Sequence, residues 1–92
     1  MSIKGEIAFL DNCTLSFAEV IDLDEPFKIK YRYHFMDRNG ELIFRYDNSG
    51  HFPKMRTHPH HKHLRNAVIE SAEPDLADVL LEIFDRNFKV AQ

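Results

Sequence analysis

The sequence predicts an α+β domain: an antiparallel β-sheet of four to five strands, built from two hairpins, with one C-terminal α-helix packed on one face. Three observations predict it. Apolar and polar residues alternate at period two through the first half of the chain. Two clusters of turn-forming residues, Asp11-Asn12-Cys13 and Asp37-Arg38-Asn39-Gly40, interrupt that alternation. An apolar stripe at helical spacing closes the chain. With 92 residues and no repeats or linkers, residues 1–92 form a single domain.

Ile7 and Phe9 alternate with small or polar neighbours, and Leu15 and Phe17 continue the pattern. A three-residue loop at Asp11-Asn12-Cys13 pairs Phe9 with Leu15, Ile7 with Phe17 and Gly5 with Glu19. Glu19 then lies on the apolar face, where a carboxylate needs a partner or the sheet margin. Asp24-Glu25-Pro26 marks a turn. In the next strand, Phe27, Ile29, Tyr31, Tyr33 and Phe35 share one face, and Lys28, Lys30, Arg32 and His34 share the other. Asn39-Gly40 favours a tight return. The return strand puts Leu42, Phe44 and Tyr46 on one face, with Ile43, Arg45 and Asp47 on the other. A two-residue loop sets Phe35 opposite Phe44, Tyr33 opposite Tyr46, His34 opposite Arg45 and Arg32 opposite Asp47. A four-residue loop slides the pairing but leaves every side chain on its face.

Residues 48–66 hold two prolines, a glycine and five histidines, and read as a long loop of the kind that often carries function. Ala67-Val68-Ile69-Glu70 suits a short strand. Ser71 is the expected N-cap of the helix, with Pro74 in its first turn and Glu73 and Asp75 at its positive end. Leu76, Val79, Leu80 and Ile83 form the stripe, extended by Phe84 and Phe88. One helix covers two hairpins sparingly, so a homodimer or a partner contact is expected.

The composition is ordinary for a globular protein, with 43% hydrophobic and 29% charged residues. No apolar run reaches the ~18 residues that span a bilayer. The first residues lack a signal-peptide core and there is a single cysteine, Cys13, so a cytoplasmic protein without internal disulfides and away from membranes is expected. Net charge is −3, which carries no global nucleic-acid signature. Its distribution is uneven. Residues 28–65 hold nine of the twelve Lys and Arg, three of the fifteen acids and all six histidines. A basic, histidine-rich middle between acidic ends suits local anion binding.

The motifs Tyr31-x-Tyr33-His34, Asp37-x-x-Gly40-x-Leu42-Ile43-Phe44-Arg45-Tyr46-Asp47-Asn48-x-x-His51-x-Pro53 and Thr57-x-Pro59-His60-His61-Lys62-His63 resemble the TumE family, toxin components of prokaryotic toxin–antitoxin pairs. A fainter match runs through Glu73-Pro74-Asp75-Leu76 to the end of the helix. The resemblance implies a small cytoplasmic toxin acting on RNA, neutralised by a cognate helix-turn-helix antitoxin. Members of the family carry a helical segment before the first hairpin, and this chain starts almost at that hairpin. A shortened relative that binds RNA or antitoxin without catalysis is therefore the alternative expectation.

The residues themselves are compatible with metal-independent RNA cleavage. That reaction needs a base for the 2′-hydroxyl proton, an acid for the leaving oxygen and cations for the phosphorane charge. Histidine suits the first two roles and Arg or Lys the third. The catalytic candidates are His60, His61, His63, Arg45, Lys62 and Asp47, with Asp47 orienting a histidine. Lys28, Lys30, Arg32, His34 and His51 are the candidates for RNA or phosphate binding. No cofactor and no metal is assigned. The competing reading is a His-rich metal-binding protein, because His58-x-His60 and His61-x-His63 each put two imidazoles on one side of an extended segment. Against it, the spacing matches no standard zinc module.

Overall fold

The computed structural model describes residues 1–91, with side-chain surroundings given through Arg86. Six strands form one antiparallel meander: β1 (Ser2–Ala8), β2 (Thr14–Ile21), β3 (Lys28–Met36), β4 (Leu42–Asp47), β5 (His61–Leu64) and β6 (Ala67–Glu70), in that spatial order. Helix α1 (Leu76–Ala91) follows. The sheet thus has six strands, more than the expected four to five. The addition is β5, which falls inside the segment read as loop.

The reason lies in the pairing of β5 with β4. Arg45 faces His63, Tyr46 faces Lys62 and Asp47 faces His61. The sequence His-Lys-His-Leu shows no apolar alternation, yet each of its first two side chains is covered. His61 is 1% exposed beside Asp47, and Lys62 lies over the rings of Phe44 and Tyr46 at 5.0 and 4.8 Å. Period two is present in these residues, but polar partners carry it.

The β3–β4 register is the expected one, with Phe35 opposite Phe44, Tyr33 opposite Tyr46, His34 opposite Arg45 and Arg32 opposite Asp47. The turn differs. Asp37 N–H donates to the Glu41 carbonyl, Gly40 takes φ +78°, and a bulge at Phe35/Met36 absorbs the longer loop. Asp37 Oδ1 accepts from the N–H groups of Asn39 and Glu41, and Oδ2 from Arg65. The Glu41 N–H foremost, and then Asn39 and Arg65, hold the Asp37 carboxyl below the usual carboxylate range. Its contribution to stability is therefore present above the unfolded pKa of about 3.9 and is lost as pH falls through the depressed folded value. Thermal melts at a series of acidic pH values are expected to show a shallower acid limb for Asp37→Asn than for the parent.

The β1–β2 register is shifted by two residues from the expected one. Ile7 faces Leu15, Gly5 faces Phe17 and Ile3 faces Glu19. The loop is Leu10-Asp11-Asn12, closed by Phe9 N–H to the Cys13 carbonyl, with Asn12 in the left-handed region at φ 70°. The even shift preserves every face. Glu19 is partnered as required: it accepts the Tyr33 hydroxyl.

Leu15, Tyr31, Tyr33, Phe35, Phe44, Val79 and Ile83 form the core, where α1 lies on the aromatic face of the sheet. Phe27 and Ile29, expected on that face, are exposed because they lie at its margin. The helix starts later than the sequence suggested. Asp75, not Ser71, caps it: Asp75 Oδ1 accepts the Asp78 N–H and Asp78 Oδ2 accepts the Asp75 N–H. Pro74 precedes the cap, and Glu73 accepts the Lys28 N–H. Phe84 is 53% exposed, since its position lies on the flank of the stripe. The extension to Phe88 lies outside the described side chains. Glu82 ties the helix to the sheet by accepting the Tyr46 hydroxyl and both Lys62 Nζ bonds, at 3.0 and 2.9 Å. Glu82→Ala leaves two partly buried partners unmatched and is expected to cost about 1–3 kcal/mol. Denaturant melts of Glu82→Ala, Lys62→Met and the double variant should show the losses to be non-additive. Among the described residues, no helix is long and apolar enough to cross a membrane.

Candidate functional site

Strand alternation and register place Arg32, His34, Arg45, Asp47, His61 and His63 together on the sheet face opposite α1. At their centre is Asp47, 6% exposed and turned inward at the end of β4. Ser49 follows it in a tight turn and donates both its N–H and its hydroxyl to Asp47 Oδ1, at 3.1 and 2.8 Å. His61 Nε2 lies 2.8 Å from the same oxygen. Arg45 Nε donates to Oδ2 at 3.0 Å, and His63 Nε2 lies 3.3 Å from it. Arg45 Nη2 is 3.1 Å from His63 Nε2. His61 Nδ1–H donates to the Pro59 carbonyl at 2.9 Å, which fixes the orientation of that ring. The Phe52 ring meets the edges of both imidazoles, with centroids 4.9 and 6.0 Å away.

The electrostatics follow from this packing. Burial alone would raise the Asp47 pKa. The two Ser49 bonds, then His61 and Arg45, outweigh it and hold the carboxyl below its usual range. His63 is pushed below the ordinary imidazole value by burial and by the Arg45 guanidinium, against a smaller opposing pull from Asp47. His34, across from Arg45, is lowered by burial, then by Arg45 and Arg32. Both shifts favour the neutral imidazole, which carries one proton and one lone pair.

Beside the cluster lies a cavity of about 470 Å³. Ala18 and Val20 form an apolar part of its wall, and Lys30, Arg32, Arg45, Asp47, Ser49 and His51 supply the polar part. Of the residues the sequence nominates for phosphate binding, Lys30, Arg32 and His51 line this space. His34 joins the face beside Arg45. Lys28 does not. A register shift at Val20/Ile21 accompanies its departure, and its Nζ donates to the Pro74 carbonyl beside the Tyr31 and Tyr33 rings on the helix side.

The histidine run is likewise divided by the pleat of β5. His61 and His63 join Arg45 and Asp47. Lys62 points to Glu82 on the helix side, and His60 stacks on Tyr31, its Nδ1 2.8 Å from the Tyr31 hydroxyl. His58 Nδ1 donates to the Phe52 carbonyl. The four consecutive residues therefore serve opposite faces of the sheet. Sequence reasoning missed Ser49, Phe52 and the Pro59 carbonyl. Only Ser49 had a visible signal, as a hydroxyl two residues beyond an aspartate, the spacing of a side-chain-stabilised turn.

Chemically, the arrangement offers cations for an anionic ligand, an imidazole held by a guanidinium, and a fixed carboxylate behind both. Comparisons with curated proteins and with solved structures find no match. The family profile described as Toxin TumE matches residues 1–88, which include every strand and every residue of the cluster just described. The chain belongs to the TumE family of toxins.

Proposed function

We propose that the protein is a toxin ribonuclease that cleaves RNA without a metal on the sheet face opposite α1. The observation that carries this reading is the cavity walled by Lys30, Arg32, Arg45 and His51, directly beside the Asp47–His61–His63 cluster. Three cationic side chains suit a phosphodiester, and Ala18 and Val20 suit the face of a sugar or base.

In this reading Arg45 Nη2 turns from His63 Nε2 to the phosphate, and the lone pair so released takes the 2′-hydroxyl proton. The 2′-oxygen attacks phosphorus, the bond from phosphorus to the 5′-oxygen breaks, and His51 protonates the departing oxygen. The products are a 2′,3′-cyclic phosphate and a 5′-hydroxyl. Arg45 and Arg32 neutralise the charge that develops on the phosphorane oxygens. Asp47 and His61 position Arg45 and His63. His60 and Lys62 belong to the helix-side networks in this assignment and take no chemical part.

A toxin of this family implies an antitoxin partner, and a helix-turn-helix protein acting with it in the cytoplasm fits the reading. The exposed Leu23, Phe27 and Ile29 support an additional contact, with that partner or with a second copy of the chain. The test is incubation of RNA with the purified protein in excess chelator. Cleavage leaving cyclic-phosphate ends is expected. RNA bound without turnover would instead indicate a non-catalytic binding module.

A further inference from the structure

The hydrogen bonds around Asp47 leave one conflict. His61 Nδ1–H is committed to the Pro59 carbonyl, so Nε2 is the nitrogen that meets the cluster. It lies 3.1 Å from His63 Nε2. Around His63 Nε2 stand a guanidinium donor at 3.1 Å, a carboxylate acceptor at 3.3 Å and the other imidazole. A ring nitrogen offers either one proton or one lone pair. A proton there serves Asp47 and opposes Arg45, while a lone pair serves Arg45 and opposes Asp47.

A cation between the three groups removes the conflict. Asp47, His61 and His63 each offer one ligand atom, all within 4.8 Å of one another. The two imidazole Nε2 atoms are 3.1 Å apart, near the edge of about 3.3 Å that tetrahedral bonds of about 2.0–2.1 Å require, and each faces its own Asp47 oxygen, His61 at 2.8 Å from Oδ1 and His63 at 3.3 Å from Oδ2. The Pro59 carbonyl behind His61 and the Ser49 donors behind Asp47 are the outer supports such ligands need. Two imidazoles and one carboxylate suit zinc-like ions better than magnesium or calcium, which prefer all-oxygen sites.

We propose that Asp47, His61 and His63 bind one transition-metal ion of the zinc class. Arg45 withdraws Nη2 from His63 on binding and keeps Nε on Asp47. The ion occupies the lone pair that the proposed cleavage uses, a consequence that rests on the ribonuclease reading, so the loaded form is the resting one. Binding itself stands on the geometry alone.

The test is titration of the full chain, stripped of metal by chelator and then freed of it, with Zn²⁺ by calorimetry and Co²⁺ by visible absorption. One equivalent of each is expected, with the intense bands of low-coordinate cobalt, while Mg²⁺ gives no comparable heat. His63→Gln, whose side chain is 19% exposed, is expected to lose at least tenfold in affinity while keeping a cooperative melt. A parent protein that binds no Zn²⁺ would overturn the proposal, and so would binding unchanged in His63→Gln. The titration contains no RNA and the cleavage assay contains chelator, so failure of either reading is seen separately.

Discussion

Replacing Arg45 by alanine is expected to lower RNA cleavage by about 10²–10³-fold, the usual loss when one donor to a developing oxyanion is removed. Arg45 combines two functions. It reaches the cavity wall, and it holds Asp47 and His63 through Nε and Nη2. Removing it takes charge from the phosphate and the restraint from His63. The loss should fall mainly on kcat, because Lys30 and Arg32 still line the cavity for ground-state binding. Arg45→Lys is expected to recover only part of the rate, since an ammonium cannot reproduce the two-pronged contact with Asp47 and His63. Single-turnover kinetics at matched folded fraction would measure both variants. Full activity in Arg45→Ala would remove the site from this face of the sheet.

The largest effect on stability is expected from Phe44→Ala, about 3–5 kcal/mol. Phe44 is 1% exposed and joins three elements. Its ring centroid is 5.3 Å from that of Phe35 and 5.5 Å from that of Tyr46, and Lys62 Nζ lies over it. A small sheet covered by one helix has few places to collapse around such a cavity. For a domain of this size the loss corresponds to a fall in Tm of roughly 12–40 °C, which approaches complete unfolding. Phe27→Ala is the contrast. Phe27 is exposed, and its loss is expected to cost under about 0.5 kcal/mol. Thermal melts followed by circular dichroism would rank the two.

The second hairpin was legible in the sequence because both signals agreed there. Aromatic residues alternate with polar ones, Arg32 and His34, from Tyr31 to Phe35, and Asp37–Gly40 marks the turn. The bulge was not legible, yet it left the register intact. β5 was hidden for a different reason. Its alternation is polar on both faces, and only the tertiary partners Asp47 and Glu82 make it a strand. The same concealment explains the site. His60 through His63 read as one basic run, while the pleat sends alternate side chains to opposite faces. The candidates Arg45, Asp47, His61 and His63 converge, whereas His60, Lys62 and Lys28 anchor the helix side. The helix start was misplaced because Ser71 is a good cap in isolation. Pro74 and the reciprocal Asp75–Asp78 bonds set the true boundary.

The central claim is that RNA cleavage belongs to the sheet face opposite the helix and uses His63. The most direct test compares His63→Gln with His60→Gln in excess chelator, at a temperature where both variants are fully folded. The two histidines lie three residues apart and on opposite faces. His63→Gln is expected to lose about 10²-fold or more of the cleavage rate, the usual contribution of a general base, while His60→Gln stays near the parent. Equal losses in the two variants, or cleavage that survives in His63→Gln and disappears in His60→Gln, would contradict the account.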